Sequence, residues 1–247
     1  MGDSVSRRAV LGGMAGGLVG SGSAAQAAQA GRKLKVIVAG GHPGDPEYGC
    51  GGTIARYTEL GHDVALLYLN RGDWGFLDKS EEAPKVDRVA EAQNACKVLK
   101  ARPLFASQLN GKAVVDHAHA DEFRKLFEAE KPDVLFTQWP MDNHADHRAT
   151  FALVYEAWLA MKMKGALYFY EVSSGEDTLM FAPTHYVDIT SVEERKRAAC
   201  YAHASQSPDR FYEMQQKTMS FRGLEGGYKY AESYIRHVHS RGDWLPA

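Results

Sequence analysis

Short unbroken apolar runs alternate along the chain with stretches whose apolar residues recur every three or four positions. Leu34–Gly40 (LKVIVAG), Asp63–Asn70 (DVALLYLN), Pro103–Ala106, Asp133–Thr137 (DVLFT) and Ala166–Val172 (ALYFYEV) are of strand length. Their lack of polar alternation predicts strands covered on both faces. Between them, Thr53–Leu60 reads as a helix stopped by Gly61, and Lys85–Lys100 gathers Val86, Val89, Cys96 and Leu99 toward one side. Asp121–Glu130 does the same with Phe123, Leu126 and Phe127, and His147–Lys164 is a long helical stretch. A further strand is predicted near His185–Ile189, with helices over Val192–His203 and Pro208–Phe221. This alternation predicts an α/β fold, a Rossmann-like doubly wound and mostly parallel sheet with helices on both faces. In such sheets ligands bind beyond the carboxyl ends of the strands where the winding reverses. The loops after the first and fourth strands are therefore the ones to inspect.

The first of these loops reads Gly40-Gly41-His42-Pro43-Gly44-Asp45-Pro46-Glu47, and the second Trp139-Pro140-Met141-Asp142-Asn143-His144-Ala145-Asp146-His147. If their strands are neighbours, three histidines and several carboxylates converge in one crevice. Two histidines and one carboxylate, with a position left for water, make a catalytic zinc site. Zinc lowers the pKa of bound water to about 7 and polarises a carbonyl oxygen, which suits hydrolysis of an unactivated amide. Asp142 or Asp146 could accept the second ring N–H of a ligating histidine.

His42-Pro43-x-Asp45-x-Glu47 followed by Gly49-Cys50-Gly51-Gly52-Thr53, together with His144-x-Asp146-His147-Arg148-Ala149, resembles the signature of the LmbE-like or PIG-L deacetylases. Val187-Asp188-Ile189-Thr190 and Lys196…His203-Ala204-Ser205-Gln206 look like that family's C-terminal segment, so the resemblance runs over roughly residues 34–239. It implies a zinc-dependent N-deacetylase acting on an N-acetylglucosamine-type sugar, with metal-bound water as the nucleophile. By position His42, Asp45 and His147 correspond to the metal ligands. His144 corresponds to the residue that stabilises the oxyanion or protonates the leaving amine, and Asp146 to the carboxylate that orients it. Arg71 sits where many members contact substrate, and Trp74 is a candidate for stacking on a sugar face. One position departs from the family pattern: the first aspartate of His-Pro-Asp-Asp, the general base, is Gly44 here. A general base contributes ~10² to 10⁴ in rate. Glu47 and Asp73 are the nearby carboxylates that could replace it; otherwise the chain is a metal-bearing carbohydrate-binding protein with impaired catalysis. The same ligand types also accept Fe²⁺, Co²⁺ or Mn²⁺.

The glycines Gly49, Gly51 and Gly52 are spaced G-x-G-G, not the G-x-G-x-x-G of a dinucleotide cradle, and are read as sites of close helix packing. His117 and His119 are expected to be surface histidines ahead of a helix. Hydrophobic residues make up 45% of the chain and charged ones 24%, with a formal net charge of −2, which describes a globular protein without the basic footprint of a nucleic-acid binder. Three cysteines are too few for a disulfide framework. Residues 1–30 pair Arg7-Arg8 with a short apolar stretch and two A-x-A sites, Ala25-Gln26-Ala27 and Ala28-Gln29-Ala30. That pattern predicts a twin-arginine export signal, too short to span a membrane stably, followed by a single domain over 31–247 in the periplasm or outside the cell. The sequence is compatible with a homo-oligomer.

Overall fold

The computed structural model describes residues 32–72, 88–240 and 242–246. The export segment and the Asp73 and Trp74 readings lie outside these. Among these described residues seven strands form one sheet: β1 (Lys35–Gly40), β2 (Asp63–Asn70), β3 (Arg102–Gln108), β4 (Val134–Gln138), β5 (Ala166–Tyr170), β6 (His185–Asp188) and β7 (Ala231–Arg236). Their order is β3-β2-β1-β4-β5-β7-β6. The first five are parallel, and β7 runs antiparallel to both β5 and β6. The winding reverses between β1 and β4, which pair directly with Val36 opposite Val134.

Alternate residues of each strand feed two cores. Val36 and Val38 of β1 join Ile54, Tyr57, Leu66, Phe136, Tyr168 and Tyr234 on one face. Ile37 and Ala39 join Leu67, Phe123, Phe127, Leu153 and Trp158 on the other. The first core is covered by α1 (Asp45–Glu59), α2 (Arg88–Leu99), α5 (Glu193–Tyr201) and α6 (Pro208–Gly226). The second is covered by α3 (His117–Glu130) and α4 (Ala145–Ala160). Both faces are thus buried, as the unbroken apolar runs require. No helix among the described residues is long and apolar enough to cross a membrane. Cys50, Cys96 and Cys200 are free and buried.

Two elements differ from the sequence reading. Helix α1 begins at Asp45, not at Thr53. Asp45 and Glu47 favour its positive N-terminal end, and Pro46 is tolerated in a first turn. The glycines inside it are there for contact: a Cβ at Gly49 would lie 2.4 Å from Tyr170, and one at Gly52 would lie 2.5 Å from Ile189. Strand β7 escaped the apolar pattern because its second residue, Glu232, is a buried carboxylate. His117 and His119 lie in the first turn of α3, with Asp116 capping it through the His119 N–H at 2.9 Å.

Candidate active site

The end of β1 turns through Gly40 and Gly41 into α1, and the end of β4 turns into α4. A Cβ on Gly41 would stand 3.1 Å from His147 Cδ2 and 3.2 Å from Asp45 Oδ2, so a glycine lets the first loop pass beneath the second without pushing those side chains aside. Asp45, the first residue of α1, is placed by the His42 N–H, which donates to its Oδ2 at 2.8 Å, and by Gln138 Nε2 at 3.2 Å.

Asp45 Oδ2 lies 3.3 Å from His42 Nδ1 and 3.2 Å from His147 Nε2. The far nitrogen of each ring meets a second carboxylate: His42 Nε2 is 3.1 Å from Asp146 Oδ2, and His147 Nδ1 is 3.1 Å from Asp142 Oδ1. His144 completes the cluster, its ring 4.6 Å from those of both His42 and His147. One ring nitrogen from each of the three histidines can be chosen so that all lie within 4.8 Å of one another.

The electrostatics follow from this packing. Burial opposes a charged His147, but Asp45 and Asp142 outweigh it and lift its pKa to about 10. Burial likewise opposes a charged His42, and Asp45 and Asp146 again win and raise it. Asp45 is held well below the usual carboxylate range, because His147 and His42 overcome its own burial. His144 goes the other way, to about 4, through burial and the two neighbouring histidines. Its Nδ1 accepts the Asp146 N–H at 3.2 Å as α4 begins, which leaves Nε2 to carry the proton of the neutral ring.

These residues fit a divalent cation. Three carboxylates crowd two imidazoles, both imidazoles are driven toward a positive charge, and Asp146 Oδ1 is buried with no hydrogen-bond partner. The carboxylate behind each imidazole is the arrangement that orients metal-ligating histidines.

The cleft above the cluster has a volume of about 550 Å³ and is lined by His42, Gly44, Asp45, His144, His147 and Asp177 among others, a size typical of small-ligand sites. A groove of about 770 Å³ between α5 and α6 contains none of these histidines.

Several sequence assignments change. Asp146 does not orient the His144 ring through its carboxylate; that group bonds His42 Nε2, Asn70 Nδ2 at 3.2 Å and the Gly111 N–H at 2.7 Å. Glu47 is fully buried and does not line the cleft. Its oxygens accept the Tyr68 hydroxyl at 2.6 Å and the Gly44 N–H at 3.2 Å, and His203 Nε2 lies 3.1 Å away. A carboxylate so enclosed cannot meet a substrate water, so Glu47 is a support for the loop and not the base. Arg71 is exposed and sits 5.9 Å over the Phe105 ring, outside the cleft wall. Arg88 lines the cleft in its place and donates to the Pro43 carbonyl at 2.7 Å. Arg88 and Asp177 were not singled out from the sequence. Asp177 follows β5, the strand next to β4, and the rule that sites gather at strand carboxyl ends reaches it too.

The family model described as PIG-L: GlcNAc-PI de-N-acetylase matches residues 36–158, which hold every residue of the histidine–carboxylate cluster. The chain belongs to the PIG-L family. It is 27% identical over 225 residues to the diacetylchitobiose deacetylase of Thermococcus kodakarensis, covering 83% of each chain. It is 25% identical to the conserved protein TT1542 from Thermus thermophilus, with a TM-score of 0.72 over 87% of this chain and 96% of that one. The 4-carboxy-2-hydroxymuconate hydratase GalB from Pseudomonas putida has the same fold at 21% identity, with a TM-score of 0.72 over 87% of this chain and all of that one. Membership in the PIG-L family makes deacetylation the activity to test, while the hydratase shows that the fold by itself does not fix the reaction.

Proposed function

We propose that this chain is an exported, zinc-dependent N-deacetylase that hydrolyses the acetamide of an N-acetylglucosamine-type sugar. The observation that carries it is the pair His42 and His147, each backed by its own carboxylate, with Asp45 between them at the switch point of the sheet. The family description and the Thermococcus relative's name both point to acetylated glucosamine units, which supports this substrate class. His42, Asp45 and His147 would hold the ion. When bound, zinc supplies Lewis acidity to the amide carbonyl and lowers the pKa of water.

The chain's own residues do the rest. Asp146 and Asp142 fix the two imidazoles, and Gln138 fixes Asp45. His144, neutral with its proton on Nε2, faces the same cleft and is placed to donate to oxygen charge that develops on the carbonyl, or to the departing nitrogen. Buried walls on either side strengthen each of these interactions.

Zinc content and primary-amine release from diacetylchitobiose and other N-acetylglucosaminides test this reading. His42→Ala and His147→Ala are expected to lose the ion and the activity together; full zinc retention in both would overturn the assignment. Gly44 favours a second reading, a metal-bearing sugar-binding protein without turnover. Many amine molecules released per chain by the natural sequence rules that out. Export rests on the Arg7-Arg8 pair and the small-residue cleavage sites. Replacing both arginines with lysine should strand the precursor in the cytoplasm, and unchanged fractionation of the variant would remove the twin-arginine assignment.

A further inference from the structure

Amide hydrolysis needs a group that takes a proton from the attacking water, and the position where the family signature has an aspartate is Gly44. Among the described residues lining the cleft, two carry a carboxylate: Asp45, already committed to the histidines, and Asp177. Asp177 stands in the loop that follows β5, and four hydrogen bonds stitch this loop to the one carrying His144. The Asn143 N–H donates to the Asp177 carbonyl at 2.9 Å, and Asn143 Nδ2 donates to the Glu176 carbonyl at 2.8 Å. The Leu179 N–H donates to the Met141 carbonyl at 2.9 Å, and Thr178 Oγ1 donates to Asp142 Oδ2 at 3.0 Å. Asp177 is thereby tied by its backbone to the residue before His144, while its neighbour Thr178 grips the carboxylate that holds His147. Glu176 is occupied with Arg210 at 2.7 Å.

We propose that Asp177 is the general base of this enzyme, supplying from the β5 loop the carboxylate that the β1 loop lacks. The inference rests on the deacetylase reading above. Asp177 accepts a proton from water as the water oxygen bonds to the acetyl carbon. The carbon–nitrogen bond then breaks, and that proton passes to the departing nitrogen, giving acetate and the free amine. The position suits a proton acceptor, because Asp177 lines the cleft and is only partly buried. Burial raises its proton affinity, against the pull of His147 and of a Ser173 hydrogen bond and with the push of Asp142 and Asp45. A base that binds its proton more firmly than an ordinary aspartate is the better acceptor.

The test uses the full zinc-loaded chain. Asp177→Asn should lower kcat for amine release by ~10² or more, with KM within about three-fold of the parent. Zinc content, and the calorimetric binding of the glucosamine product, should be unchanged. Asp177→Ala should regain part of its kcat when formate is added, since formate brings a carboxylate into the vacated space, and Asp177→Asn should not. Turnover of Asp177→Asn within about three-fold of the parent would overturn the assignment and leave the deacetylase reading standing. So would a loss of turnover that tracks a loss of zinc, which would make the residue structural. A parent that binds zinc but releases no amine from any acetamide would overturn the reading and this assignment together.

Discussion

Helix α1 carries a buried charge cluster at each of two places, and they are built on opposite terms. In its middle, Glu232 of β7 accepts the Gly52 N–H at 2.8 Å, the Thr53 N–H at 2.7 Å, the Lys196 ammonium and the Tyr234 hydroxyl at 3.1 Å. Every oxygen is satisfied, one carboxylate faces one ammonium, and Lys196 is sealed from solvent. At its N-terminus, Asp45, Asp142 and Asp146 surround two imidazoles beneath an open cleft, and Asp146 Oδ1 has no partner. The first cluster is complete as the chain folds. The second has an excess of negative charge and an unpaired oxygen, which are tolerable where a cation completes them. Buried charge alone therefore does not mark a site. Incompleteness facing a cavity does.

Substitutions in the two clusters should separate these roles. Lys196→Met removes the ammonium that faces a sealed carboxylate and should cost about 3–5 kcal/mol of stability, read from urea unfolding, while the folded fraction still binds zinc. A loss below about 1 kcal/mol would mean that the two backbone N–H groups and the tyrosine suffice for Glu232, and that the lysine is ornamental. Asp142→Asn should act in the reverse sense. Zinc affinity is expected to fall 10- to 100-fold, roughly the effect of losing a carboxylate behind a ligating histidine, together with some loss of stability in the zinc-free chain, where Asp142 faces a charged His147. Unaltered affinity in a dye-competition titration would show that His147 is not held for metal by this contact.

The sequence carried most of the sheet and the core of the site, for identifiable reasons. Parallel strands buried on both faces leave unbroken apolar runs, so β1, β2, β4 and β5 were legible almost to the residue. The pairing of His42 and His147 followed from one topological rule, that neighbouring strands at the reversal bring their loops together. Contacts between side chains were not legible. Nothing in the spacing of His144-Ala145-Asp146-His147 says that the Asp146 carboxylate turns back to His42, because that depends on how α4 enters from β4. Glu47 was misjudged for a related reason: three residues into a helix, it lies on the side facing Tyr68 and His203, and only the packed structure shows that side is closed. Asp177 was missed because its partner loop is more than thirty residues away in sequence and joined to it by hydrogen bonds that leave no periodic trace.

The smallest of these effects concerns Gly44, and it bears on both clusters because Gly44 caps the helix they share. Its φ is 115° and its ψ is −40°, a conformation that glycine adopts freely and an L-residue does not. A Cβ there would have room, the nearest atoms being Tyr48 Cδ2 at 3.7 Å and His203 Cδ2 at 3.9 Å. The obstacle to an aspartate is therefore the backbone and not the space. Gly44→Asp is expected to lower stability by roughly 1–2 kcal/mol, with no more than a few-fold gain in kcat, roughly the response of a site whose proton acceptor already stands elsewhere. Thermal unfolding and amine release on the same preparation check both halves. A gain approaching ~10² without loss of stability would mean that the loop relaxes to present the new carboxylate. Gly44 would then be a vacant base position, and the case for Asp177 would fall with it.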